Sequence, residues 1–157
     1  MTLLENPMRI HRSRLCCAAF VVVAVASTAL GHVRISPRES ASGATQKYTM
    51  TVPTERQSPT IRIEATFPAS VIVLSFEAMP GWKIEEKKDS DGRIVGAVWS
   101  GGSIPFAESV DFSFEVKNPA TAGRLEWKVI QIYQDGTRSE WTGPENSRTP
   151  GPVTTVK

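Results

Sequence analysis

The residue types best suited to metal ligation or nucleophilic attack are few, and they crowd the start of the chain. Two histidines, His11 and His32, and two cysteines, Cys16 and Cys17, are all that its 157 residues contain. Arg9, Arg12 and Arg14 precede an apolar run from Leu15 through Val25. Small residues then follow from Ala26 to Gly31, with Ala29 and Gly31 where signal peptidase requires small side chains. This tripartite pattern predicts a secretory signal peptide over residues 1–31, begun at Met1 or Met8 and cut between Gly31 and His32. The apolar run is shorter than the ~20 residues of a bilayer span, which argues against an anchor. Cleavage would remove His11, Cys16 and Cys17 together. The mature chain would then hold no thiol and a single histidine, its first residue.

A histidine with a free amine presents two nitrogen donors, the α-amine and ring Nδ1, which close one chelate ring on a metal. Such donors suit Cu(II), which favours tetragonal nitrogen and oxygen sites and heads the divalent affinity order. A carboxylate would add an oxygen. Both nitrogens must be deprotonated to ligate, so affinity is expected to fall below pH ~7–8, where a free α-amine titrates.

The ordinary catalytic sets are missing. A Ser–His–Asp arrangement would have to use the terminal His32, and there is no Gly-x-Ser-x-Gly turn, phosphate loop or dinucleotide fingerprint. Glu85/Glu86 and Asp89/Asp91 fall in an expected exposed hairpin. Oxidative copper sites that need a second histidine lack one here. The chain reads as a non-enzyme. Its charge is equally restrictive: 18 Lys+Arg against 16 Asp+Glu become 15 of each without the leader. A neutral mature domain argues against nucleic-acid partners and against a charged membrane-binding surface.

The elements that must position His32 read as short strands between turn signals. Tyr48, Met50 and Val52 alternate with polar residues up to Pro53, and Ile61 to Phe67 alternate between Pro59 and Pro68. An apolar run spans Val71 to Phe76, and Trp82–Glu85 and Ile94–Trp99 flank the turn Asp89-Ser90-Asp91-Gly92. Val110 to Val116 gives the cleanest alternation. Leu125 to Tyr133 reads as one strand, followed by the Asp135-Gly136 turn and Thr137–Trp141. No segment has a helical period. About seven to nine strands at this spacing predict an all-β fold, a single β-sandwich of immunoglobulin/fibronectin- or cupredoxin-like type. Trp82, Trp99 and Trp127 are expected in the core, with Met50 and Met79 as gap-filling residues. The stretch from Thr142 to Lys157 is expected to be irregular, with no C-terminal membrane anchor.

The mature start His32-Val33-Arg34-Ile35-Ser36-Pro37 resembles the opening of the YcnI-like copper-binding domains. Further matches follow in order: Val52-Pro53-Thr54-Glu55, Pro80-Gly81-Trp82, Trp99-Ser100-Gly101-Gly102, Lys117-Asn118-Pro119, Gln131 to Gly136 and Glu140-Trp141-Thr142-Gly143. Each motif is short; their order makes them specific. The resemblance implies a copper-binding domain over residues 32–152, leaving 153–157 as a short tail. It also implies a Cu(II) site in which the amine and ring of His32 are joined by Glu55, with Trp141 close by outside the ligand set. Tyr133 and Gln131 are candidate supporting partners. By itself, without the resemblance, Glu55 reads as a solvated loop acid.

The expected role is extracytoplasmic copper acquisition, buffering or delivery, with a copper chaperone or membrane copper transporter as partner. The location would be periplasmic in a Gram-negative host and extracellular otherwise. The competing expectation is a fibronectin-like secreted interaction module whose terminal histidine is incidental.

Overall fold

The computed structural model describes residues 31–157; apart from Gly31, the expected signal peptide lies outside the described residues. Within them the chain forms β1 (Arg34–Ser36), β2 (Glu39–Ser40), β3 (Thr45–Pro53), β4 (Thr60–Thr66), β5 (Ile72–Phe76) and β6 (Lys83–Lys88). It continues with β7 (Ile94–Ile104), β8 (Ser109–Lys117), β9 (Gly123–Glu126), β10 (Lys128–Tyr133), β11 (Arg138–Trp141) and β12 (Val153–Val156). One sheet runs β1-β3-β8-β5, a second runs β11-β10-β4-β7-β6, and a short third sheet runs β2-β12-β9.

Period-two alternation builds the core between the two larger sheets. Tyr48 and Met50 on β3 stand opposite Phe114 and Phe112 on β8, and all four side chains are buried. The second sheet answers with Ile63 and Ala65 from β4, Ala97 and Trp99 from β7, and Val129 from β10. The Phe112 and Trp99 rings meet with centroids 5.5 Å apart. The all-β sandwich expected from the alternation is the fold observed. Trp99, Trp127 and Met50 are core residues, while Trp82 and Met79 pack half-buried against them.

Two local expectations are corrected. Leu125 to Tyr133 is two strands in different sheets, because the chain turns at Trp127. There the backbone N–H donates to Pro152 O at 3.0 Å and the indole N–H to Thr154 Oγ1 at 3.1 Å. The stretch after Thr142 is not irregular to its end. Val153–Val156 pairs with β2 and β9, burying Thr154 and Val156, so these residues are part of the sandwich rather than a tail. The apolar run at 71–76 forms an edge strand, and Ile72 and Leu74 remain 59% and 49% exposed.

Trp127 and Trp99 have different polar surroundings. The Trp127 indole N–H is satisfied by Thr154, whereas the buried Trp99 Nε1 has no acceptor among the described residues. Trp127→Phe is therefore expected to lower stability more than Trp99→Phe, by about 1 kcal/mol in urea unfolding.

Glu64 ties β4 to β6 across the face of β7. Arg62 Nε donates to its carboxylate at 2.8 Å and Lys87 Nζ at 3.2 Å. The Arg62 hydrogen bond chiefly, opposed by desolvation and assisted by Lys87, holds the Glu64 carboxyl below its ordinary value of 4.5. A depressed folded-state value contributes stability above the unfolded value, and this is lost as pH falls through the folded one. Glu64→Gln should accordingly flatten the acid limb of the stability curve below about pH 4.5.

Candidate metal centre

Glu55 gains its position from a pinned predecessor. Thr54 is buried; its N–H donates to Glu108 O at 2.9 Å, and its carbonyl accepts from Ala107 N at 2.8 Å. Its hydroxyl meets that of Thr60 at 2.6 Å. The residue that follows it, Glu55, is exposed and has no ion-pair partner within 4.0 Å among the described residues. Its neighbour Arg56 is engaged elsewhere. The guanidinium lies over the Tyr133 ring at 5.0 Å from the centroid, and Nη1 donates to Thr137 Oγ1 at 3.2 Å. A carboxylate is thus left uncompensated beside an arginine that is otherwise occupied.

His32 stands two residues ahead of β1. Val33 and Ile35 are buried, so strand alternation turns the His32 side chain outward. Its ring lies against Trp141, centroids 5.6 Å apart and tilted by 54°. On the other side of His32, a β-carbon placed on Gly31 would stand 3.2 Å from Glu55 Oε1 and 3.0 Å from the Pro53 ring. The Glu55 carboxylate therefore sits against the residue bonded to the His32 nitrogen.

Gln131 joins these two halves. It is fully buried on β10; its Oε1 accepts from Trp141 Nε1 at 3.0 Å, and its Nε2 donates to Pro53 O at 2.7 Å and Thr60 Oγ1 at 2.5 Å. One amide thereby holds the indole that packs on His32 and the backbone that carries Glu55. Tyr133, the other expected supporting residue, meets Ser139 Oγ at 3.1 Å and acts through Arg56 rather than through the histidine. Thr54 and Thr60 are not among the residues the sequence nominates. Thr54 lies within the Val52-Pro53-Thr54-Glu55 motif, whereas Thr60 has no local signal beyond its place after Pro59.

The donor set decides what could bind here. Among the described residues no group of three or more His, Cys, Asp or Glu side chains comes together. His32 and Glu55 alone give one nitrogen and one carboxylate, too few for a closed site. The set becomes adequate if the His32 nitrogen is a free amine rather than a peptide nitrogen, since the residue bonded to that nitrogen is the one that lies against Glu55. The residues fit a metal ion on that condition.

An open-ended donor cluster on an immunoglobulin-like β-sandwich is the class of protein that fold and site define. A solved structure of an uncharacterized Nocardia farcinica protein with an immunoglobulin-like fold superposes with a TM-score of 0.69 at 22% identity, covering 80% of this chain and 97% of that one. A cohesin module from Clostridium perfringens matches with a TM-score of 0.55 at 13% identity, covering 80% and 96%. These likenesses concern the fold. The chain belongs to the family described as a domain of unknown function (DUF1775), whose model matches residues 32–156. It is also 37% identical over 130 residues to the copper-binding protein CutI of Bacillus subtilis (strain 168), covering 82% of this chain and 63% of that relative. The YcnI-like resemblance carried by the ordered motifs is borne out at the level of the family.

Proposed function

We propose that the protein is exported, loses residues 1–31, and binds one Cu(II) through the amine and imidazole of His32 and the carboxylate of Glu55. Trp141 shields the histidine without ligating. The protein acts as a carrier rather than an enzyme, receiving, buffering or handing on copper outside the cytoplasm, with a copper chaperone or a membrane transporter as its exchange partner. The observation that carries this reading is the Glu55 carboxylate oxygen lying against Gly31, at the peptide bond whose cleavage frees the amine. The copper-binding name of the Bacillus subtilis relative supports the choice of metal. Two nitrogens and a carboxylate favour Cu(II) over softer ions. The anionic oxygen neutralises part of the dipositive charge, so reduction to Cu(I) should loosen the metal.

Intact mass of protein beginning at His32 is expected to increase by one copper when one equivalent of Cu(II) is added. Glu55→Ala should weaken Cu(II) affinity by about 10–100-fold in a chelator competition. A start at another residue, or no retained copper, contradicts the proposal.

The reading as an interaction module has its own observation, the exposed Ile72 and Leu74 on edge strand β5. It predicts no stoichiometric copper and no effect of Glu55→Ala.

A further inference from the structure

A cleft of about 350 Å³ opens beside His32, bounded by Arg34, Arg38 and Glu145 and by the chain from Pro150 to Val153. That is several times the ~30 Å³ share of one water in the liquid, room for a small organic ion. His32 and Arg34 lie two residues apart on an extended segment whose alternate residues, Val33 and Ile35, are buried. Their side chains consequently emerge on one side, about 7 Å apart along the strand. Both arginines are rooted in ordered backbone. Arg34 pairs with Thr51 in the β1–β3 ladder, and the Arg38 carbonyl accepts from Thr155 N–H at 2.8 Å.

The charge in this cleft is unbalanced. Neither Arg34 nor Arg38 has a carboxylate within 4.0 Å among the described residues. The neighbouring acids are engaged elsewhere. Glu39 binds Lys157 Nζ at 2.6 Å, and Asp111 accepts the Thr51 hydroxyl at 2.6 Å. Glu145 is the one acid in the lining; its side chain is 80% exposed, with Arg124 at 3.7 Å. Pro150 and Pro152 have no N–H to offer, and Gly151 N–H donates to Gly143 O at 2.9 Å. The spare donors are therefore the two guanidiniums, whose planar forks match carboxylates.

The metal site has a complementary gap. With the amine, the ring nitrogen and Glu55 as its donors, a bound Cu(II) would have room for a further oxygen ligand and would keep residual positive charge. We propose that the cleft takes a small di- or tricarboxylate. One of its carboxylates pairs with Arg34 and Arg38 while another ligates the copper on His32, so the protein receives and releases its metal as an anionic carboxylate chelate. This rests on the copper reading above.

The test uses protein beginning at His32, loaded with one Cu(II) in carboxylate-free buffer and titrated with citrate. A 1:1:1 protein–copper–citrate complex is expected, with a changed Cu(II) electron paramagnetic resonance spectrum. Arg34→Gln combined with Arg38→Gln should weaken citrate binding about tenfold or more, while Cu(II) affinity without citrate stays within about twofold of wild type. Citrate that strips the metal with no ternary signal overturns the inference and leaves copper binding intact, as does equal citrate affinity in the double variant. Protein that holds no copper before citrate is added overturns both readings.

Discussion

Protein carrying one extra residue before His32 is expected to bind Cu(II) about 100-fold more weakly than protein beginning at His32, or worse. The amine and Nδ1 belong to one residue, so the second bond forms at high effective concentration; converting the amine to a peptide nitrogen removes that gain. Retained Gly31 fits the structure, because only a side chain at that position would press on Pro53 and Glu55. The extended protein should therefore fold normally and fail only in metal binding. Chelator competition on both forms, with unfolding curves as the control, decides the matter. The loss should exceed that of Glu55→Ala; equal losses would show that the terminus does not dominate.

Gln131→Leu is expected to be the most damaging conservative substitution near the site. Leucine approximates the volume of glutamine but leaves the buried Trp141 Nε1 without its acceptor and the part-buried Pro53 O without its side-chain donor. Thr60 keeps its contact with Thr54, so two groups rather than three are orphaned. At about 1–3 kcal/mol for each, the variant should lose about 2–6 kcal/mol of folding stability. At temperatures where it stays folded, Cu(II) affinity should fall too, since the Trp141 ring and the Glu55 segment no longer share one anchor. Gln131→Glu separates the two arms: its carboxylate still accepts from Trp141 but cannot donate to Pro53. Urea unfolding and Cu(II) titration of both variants test this. A leucine variant as stable as wild type would show that the bridge contributes nothing.

Much of this arrangement is legible in the order of residues alone. Long alternating runs such as Tyr48–Val52 and Val110–Val116 specify strands locally, because a half-buried sheet demands that period whatever it packs against. The proposed terminal position of His32 comes from the signal-peptide pattern, while Glu55 and Trp141 are singled out only by the family resemblance that the ordered motifs carry. β1, β2 and β12 leave no such signature, because two to four residues are too few for a period to register; they are strands only because neighbours complete their hydrogen bonds. The break at Trp127 is hidden for a related reason. Alternation continues through it, and the change of sheet is dictated by Pro152 and Thr154, which lie far along the chain.

For the site, residue types and a chain terminus can be read in order along the sequence, and they are enough to nominate a metal chemistry. That the Glu55 carboxylate faces residue 31, that the His32 ring lies on Trp141 and that Gln131 holds both halves depend on contacts between β3, β10 and β11. Such contacts join positions with no local relation, so no periodicity or spacing encodes them. Only the folded sandwich brings them within hydrogen-bonding distance.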